Sequence, residues 1–143
     1  MGAKGDIASA QNAGGFNCST SVLTAFCEDY DLDAETAARL ACGLGGGCRS
    51  GEVCGAVSGA ILVVGLKYGQ DQAGDQGAKA NCYARTVQFL DKFREKYNAI
   101  TCRELLGADI STDEGREAAQ EKIGEVCPGF VKSAADILEE LGY

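Results

Sequence analysis

The sequence predicts an all-α fold, a compact single-domain bundle of about six to seven helices around a buried, glycine-rich central helix. Three observations predict it. Apolar residues recur three and four positions apart through most of the chain, the spacing of one helix face. Residues that cap helices stand in front of these runs. One stretch, around Val53 to Leu66, is apolar nearly all round, as a helix enclosed by others must be. No run alternates convincingly as a strand would, and there is no internal repeat.

Residues 1–15 are small and polar and read as a loose N-terminal lead-in; 16–143 form a single helical, cysteine-rich domain. Gly14-Gly15 breaks the chain and Asn17 caps the first helix, with Cys18 at its first position and Val22, Leu23, Phe26 and Tyr30 on one face. Asp33 caps a second helix whose stripe is Ala37, Leu40, Ala41 and Leu44; Gly43 and Gly45 to Gly47 end it. The third, central helix runs from about Gly51 to Tyr68, with Ser50 as cap and Cys54 in its first turn. Gly55 and Gly59, like Gly65 and Gly69, are four apart, a spacing that lets another helix approach closely.

Residues 69–77 read as a surface loop, and a long helix follows from about Ala78 to Tyr97, with Tyr83, Val87, Leu90, Phe93 and Tyr97 on one side. Thr101-Cys102-Arg103-Glu104 has the form of a capping box and starts a short helix that stops at Gly107. A further helix starts at 111–114 and reaches about Glu125. Cys127-Pro128 then opens the last one, since proline suits the first helical position.

The 143 residues make one domain with room for a real core, and 45% apolar residues argue against disorder. A net charge of −8 argues against nucleic acid and anionic membranes as partners. The most apolar stretch is too short and too glycine-rich to span a bilayer, and the N-terminus lacks the apolar core of a signal peptide, so the expected location is cytoplasmic. There, eight cysteines point to metal binding or redox chemistry rather than to a disulfide framework. The absence of histidine removes Cys-His nucleophiles, mixed-ligand zinc sites, Rieske clusters and histidine-ligated haem.

Cys18, Cys54, Cys102 and Cys127 each fall in the first turn of a predicted helix, where the partial positive charge favours thiolate. Arg49 and Arg103 reinforce this; Glu52 and Glu104 oppose it. Brought together, the four make a metal-ligand set. Alternatively two of them, Cys54 and Cys18, form a catalytic dithiol. Cys27 and Cys82, on helix bodies, read as small buried hydrophobes, while Cys42 and Cys48 flank the glycine loop and stand open to either role. The loop and the start of the central helix, Gly47 and Gly55 in particular, let backbone pass close to a bound centre. A nucleotide is not expected: the loop lacks the last glycine of the dinucleotide fingerprint and the Gly-Lys-Ser/Thr of a P-loop.

Three functions are open at this level. The first is electron transfer through an iron–sulfur cluster held by Cys18, Cys54, Cys102 and Cys127, which four thiolates without histidine suit. The second is thiol–disulfide exchange. The third, ranked last, is a structural zinc site or a plain helical binding module.

Phe16-Asn17-Cys18, Cys54-Gly55-Ala56-x-x-Gly59, Cys102-Arg103-Glu104-Leu105-Leu106-Gly107 and Cys127 together resemble the redox-active family named for the pattern C_GCAxxG_C_C, over about Gly15 to Leu141. The resemblance implies that the family's four defining cysteines correspond to Cys18, Cys54, Cys102 and Cys127. A similar module in split-Soret cytochromes implies a compact helical fold, a homodimer and electron exchange with a redox partner protein. Their haem does not carry over, because this chain has no C-x-x-C-H.

Overall fold

In a computed structural model, which describes residues 2–143, the chain is all-α, with seven α-helices among the described residues. They are α1 (Ala3–Ala13), α2 (Cys18–Phe26), α3 (Ala34–Cys42), α4 (Gly55–Tyr68), α5 (Gln76–Tyr97), α6 (Cys102–Leu106) and α7 (Asp113–Glu140). A single 3₁₀ turn, Cys27–Tyr30, follows α2.

The centre is a pair of helices. In α2 every residue from Ser19 to Phe26 is buried, although half of them carry hydroxyls. Buried hydroxyls must be hydrogen-bonded, and these are. Ser19 Oγ donates to Ala41 O at 2.7 Å, Ser21 Oγ to Asn17 O at 2.7 Å and Thr24 Oγ1 to Thr20 O at 2.8 Å. The glycine-rich α4 lies against α2. A Cβ on Gly55 would stand 3.2 Å from that of Cys18, so the small residues expected to admit a neighbouring helix do so here. Gly65 meets nothing within 4 Å and serves no such contact.

Several caps follow the sequence. Asn17, Asp33 and Thr101 accept from the amides of Thr20, Thr36 and Glu104, and Thr101 Oγ1 also donates to Glu104 Oε1 at 2.9 Å. Helix α5 starts at Gln76, two residues earlier than expected, with Asp75 as its cap, and the position before α4 is Cys54 rather than Ser50.

Four expectations are corrected. Residues 1–15 are not a loose lead-in: Ala3–Ala13 is a helix that packs on α7, held by Gly2 N to Glu139 Oε1 at 2.9 Å and by Gly5, which lies directly on Asp136. The last two predicted helices are one, because Pro128 lies inside α7 and the helix continues through it. The inward face of α5 is Cys82, Thr86, Phe89, Phe93 and Tyr97, a regular helical stripe. The expected face is turned by one residue and leaves Tyr83 and Val87 exposed. Leu40 of α3 is likewise exposed while Ala37 and Ala41 are buried.

Between α3 and α4 the chain makes a left-handed turn. Gly46, Gly47, Cys48 and Arg49 have φ of 65°, 62°, 59° and 57°, and Gly51 has 73°. Left-handed backbone costs a residue with a Cβ on the order of 1–2 kcal/mol, so Cys48 and Arg49 are strained. Gly47 is obligatory: a Cβ there would stand 2.5 Å from both the amide nitrogen and the carbonyl oxygen of Glu52.

Candidate functional site

Two short backbone contacts build half of the site. Val53 and Thr101 form an isolated antiparallel bridge. Flanking it, Cys54 N donates to Ile100 O at 2.7 Å and Cys102 N donates to Glu52 O at 2.8 Å. The bridge ties the start of α4 to the start of α6, so Cys54 at the cap of one helix and Cys102 at the first position of the other become neighbours across nearly fifty residues of sequence. The other half comes from α2, whose first residue is Cys18, and from the middle of α7, which carries Cys127. Cys127 is therefore not at a helix start, and no helix dipole end acts on it.

All four sulfur residues line one cavity of about 310 Å³. Its remaining wall is mostly apolar, from Leu105, Leu106, Ile110, Ile123, Pro128 and Phe130, with Asn12, Asn17, Gly46 and Gly124 completing it. No charged side chain is among the lining residues. Pro128 has no N–H to donate to Gly124 O four residues back, so α7 loses one internal hydrogen bond at the cavity wall.

The thiols interact in two pairs. Cys54, only 2% exposed, has its pKa pushed well up, first by its interaction with the Cys102 sulfur and then by burial; the amides of Ala56 and Val57 act weakly against this. Cys102 is correspondingly pushed down by Cys54, against burial, with help from the Gly55 amide. Cys18 is pushed well up by Cys127, burial and the neighbouring sulfurs, and Cys127 is pushed down by Cys18. Within each pair one sulfur is pushed up and its partner down, so Cys102 and Cys127 are the members inclined toward thiolate. The start of α4 does favour thiolate at Cys54 through the Ala56 and Val57 amides, but the neighbouring sulfur and burial push the other way and are the larger effects. Cys18 and Cys54, named from sequence as a dithiol, belong to different pairs.

The donor set can be tested against a metal. A tetrahedral zinc with Zn–S near 2.3 Å needs four sulfurs about 3.8 Å apart. Among the described residues no group of three or more Cys, Asp or Glu side chains is placed to hold one ion. Four cysteines lining one cavity are the donor type that both zinc and iron–sulfur clusters take.

The other candidates lie apart. Gly47 and Gly55 do not line the cavity; Gly46 does. Gly47 closes on Glu52 and Gly55 on Cys18, so both shape the backbone that carries the sulfurs. Cys27 is fully buried in the core, Cys82 is half-buried on α5, and Cys42 and Cys48 are exposed; none of these lines the cavity. The apolar wall was not anticipated. Its one sequence signal is Leu105-Leu106, three and four residues after Cys102 and so on its side of a helix too short to bury them elsewhere.

Among the described residues no helix is long and apolar enough to cross a membrane. No curated protein and no solved structure matches the chain. A family model does, over residues 16–141, under the description "Putative redox-active protein (C_GCAxxG_C_C)". That span includes every cysteine of the cavity, and the chain belongs to the C_GCAxxG_C_C family of redox-active proteins.

Proposed function

We propose that the protein is an electron carrier whose four cavity cysteines, Cys18, Cys54, Cys102 and Cys127, hold an iron–sulfur cluster. The observation that carries this is the gathering of four sulfurs from remote segments around one cavity with no charged side chain in its wall. When bound, such a cluster supplies one-electron transfer. The residues of the chain supply the rest. Cys102 and Cys127 are already inclined to thiolate, and the Gly55, Ala56 and Val57 amides at the start of α4 favour negative charge on the neighbouring sulfurs. Leu105, Leu106, Ile110 and Phe130 keep water from the centre, which strengthens those electrostatic effects. The expected partner is a redox protein that exchanges electrons at this end of the molecule; light scattering tests whether the chain also pairs with itself.

Purification without oxygen followed by iron and sulfide analysis tests the proposal. A brown protein with iron and acid-labile sulfide, lost when any of the four cysteines becomes serine, is the expected result. A colourless, iron-free preparation overturns it.

One observation favours a second reading. Cys54 interacts with Cys102 and Cys18 with Cys127, and in each pair one sulfur is the more acidic, an arrangement suited to disulfide exchange. Here the Cys127 thiolate attacks a substrate disulfide, forming a mixed disulfide and expelling one substrate thiolate. Cys18, losing its proton, then displaces the second, leaving a Cys18–Cys127 disulfide and a substrate reduced by two electrons. A thiol count that drops by two on mild oxidation selects this reading. Structural zinc at one per chain, with no redox response, replaces both.

A further inference from the structure

We propose that Arg103 is a positioning residue that holds Cys54 beside Cys102 by clamping the strained left-handed turn at residues 46–51. The inference rests on reading the four cysteines as one centre, and it concerns only the Cys54/Cys102 half.

The turn leads directly into Cys54, so wherever it goes, the start of α4 follows. Cys48 and Arg49 hold left-handed φ without being glycine. Such a conformation persists only where the surroundings over-determine it. Three restraints are local: Cys48 N donates to Leu44 O at 3.2 Å, Glu52 N to Gly47 O at 3.0 Å and Ser50 Oγ to Cys48 O at 3.2 Å. Past the turn, the Val53–Thr101 bridge and its flanking bonds hold the chain from Glu52 on; the outside side chain that reaches the turn itself is Arg103. Its Nη2 donates to Ser50 O at 2.9 Å, its Nη1 stands 3.6 Å from Glu52 Oε2, and its stem lies on Gly51, where an added Cβ would meet Arg103 Cβ at 3.6 Å. One guanidinium therefore grips the turn at three consecutive residues, a planar fork suited to holding two acceptors at once.

Arg103 follows Cys102 in sequence, and the amide of Cys102 bonds Glu52 O. The clamp thus ties the backbone before one cysteine to the helix that bears the other. Arg103 is not among the residues lining the cavity, so it touches no sulfur ligand there and acts through the turn. Arg103 makes no hydrogen bond or ion pair with α2 or α7, which carry Cys18 and Cys127. That difference supplies an internal control.

The test is site-resolved alkylation, by mass spectrometry, of the full chain reduced and freed of metal, with iodoacetamide as probe. Arg103→Gln is expected to speed labelling of Cys54 and Cys102 about tenfold, the loss of one charge-assisted hydrogen bond to backbone, while Cys18 and Cys127 change less than twofold. Arg103→Lys, which keeps charge but loses the fork, should fall between. Cys48→Gly in the Arg103→Gln background should return labelling toward the wild-type rate, since glycine accepts the left-handed turn without strain. Equal acceleration of all four cysteines, or no acceleration, overturns the proposal. Should Arg103→Gln fail to fold, the Arg103→Lys ratio between the two pairs decides alone. Iron content of the wild type tests the cluster separately, so a failed clamp and a failed cluster give different results.

Discussion

A Cβ placed on Gly59 would stand 2.6 Å from the carbonyl oxygen of Ser19, because α4 runs directly against the backbone of α2. That oxygen belongs to a helix buried along its length and cannot give way cheaply. Gly59→Ala should therefore destabilise by about 2–3 kcal/mol, the cost of overpacking, and lower Tm by roughly 7–10 °C for a chain of this size. The same change at Gly65, where a Cβ meets nothing within 4 Å, should stabilise by about 0.5–1 kcal/mol through helix propensity alone. Opposite shifts in Tm, measured by calorimetry on the two variants, check the contact. Gly59→Ala should also loosen the register of Cys18 on α2 against Cys54 on α4, and so reduce iron retained on purification.

Tyr143 packs edge-on against Tyr68, ring centroids 5.7 Å apart, with its hydroxyl buried and without a hydrogen-bond partner. Burial and the neighbouring Tyr68 push its pKa up to about 12, with Arg85 acting weakly against them. A raised folded pKa means that this group's contribution to stability is fully present below its unfolded value of 10.0 and is lost as pH rises through about 12. Following tyrosinate absorbance with pH should show a late ionising phase that Tyr143→Phe removes. Because the phenylalanine also deletes an unsatisfied buried hydroxyl, the variant should be more stable near neutral pH by about 1 kcal/mol. A loss of stability there would mean that the hydroxyl has a partner.

How much of this was legible in the sequence depends on whether the cause was local. The capping box Thr101–Glu104, the Asn17 cap and the glycine spacing at Gly55 and Gly59 are short-range devices, and all three stand where the residues placed them. The helix α1 was illegible because its sequence is small and polar; it is held by Glu139 and Asp136 on α7, more than a hundred residues away. The face of α5 was misjudged because Cys82 and Thr86, which turn inward, look less apolar than Tyr83 and Val87, which do not. Cys127 was placed at a helix start because Cys-Pro favours one; the apolar positions Ile123, Val126 and Phe130 instead carry α7 straight through. The four cysteines could be singled out from residues. Their division into two pairs could not, since it depends on the Val53–Thr101 bridge and on where α7 crosses α2.

Among the four cavity cysteines, Cys127 combines a lowered pKa with partial exposure, whereas Cys102 is lowered but only 7% exposed. Thiolate character and access together set alkylation rates. In the reduced, metal-free protein Cys127 should be the first of the four to react with iodoacetamide. Cys18→Ser should slow it, because the serine hydroxyl is a poorer match for the sulfur that now favours the Cys127 thiolate. Labelling of Cys18 ahead of Cys127 would show that the direction of charge within that pair is reversed.

Pro128 interrupts the hydrogen-bond ladder of α7 at the cavity wall, between Cys127 and Gly129. A proline inside a helix costs about 3 kcal/mol relative to alanine, and here the cost falls on the turn that presents Cys127. Pro128→Ala restores an N–H that can reach Gly124 O and should raise Tm by several degrees. Replacing the ring and closing that hydrogen bond is also expected to shift Cys127 relative to Cys18, Cys54 and Cys102. The variant is therefore expected to be more stable yet to retain less iron, the trade-off of a site that keeps a destabilising residue for its geometry. Calorimetry and iron analysis on the same preparation decide it. A rise in Tm with iron content unchanged would assign Pro128 no part in placing the ligand, whereas a fall in Tm would mean that the ring contributes more to the apolar wall beside Phe130 than the missing hydrogen bond costs.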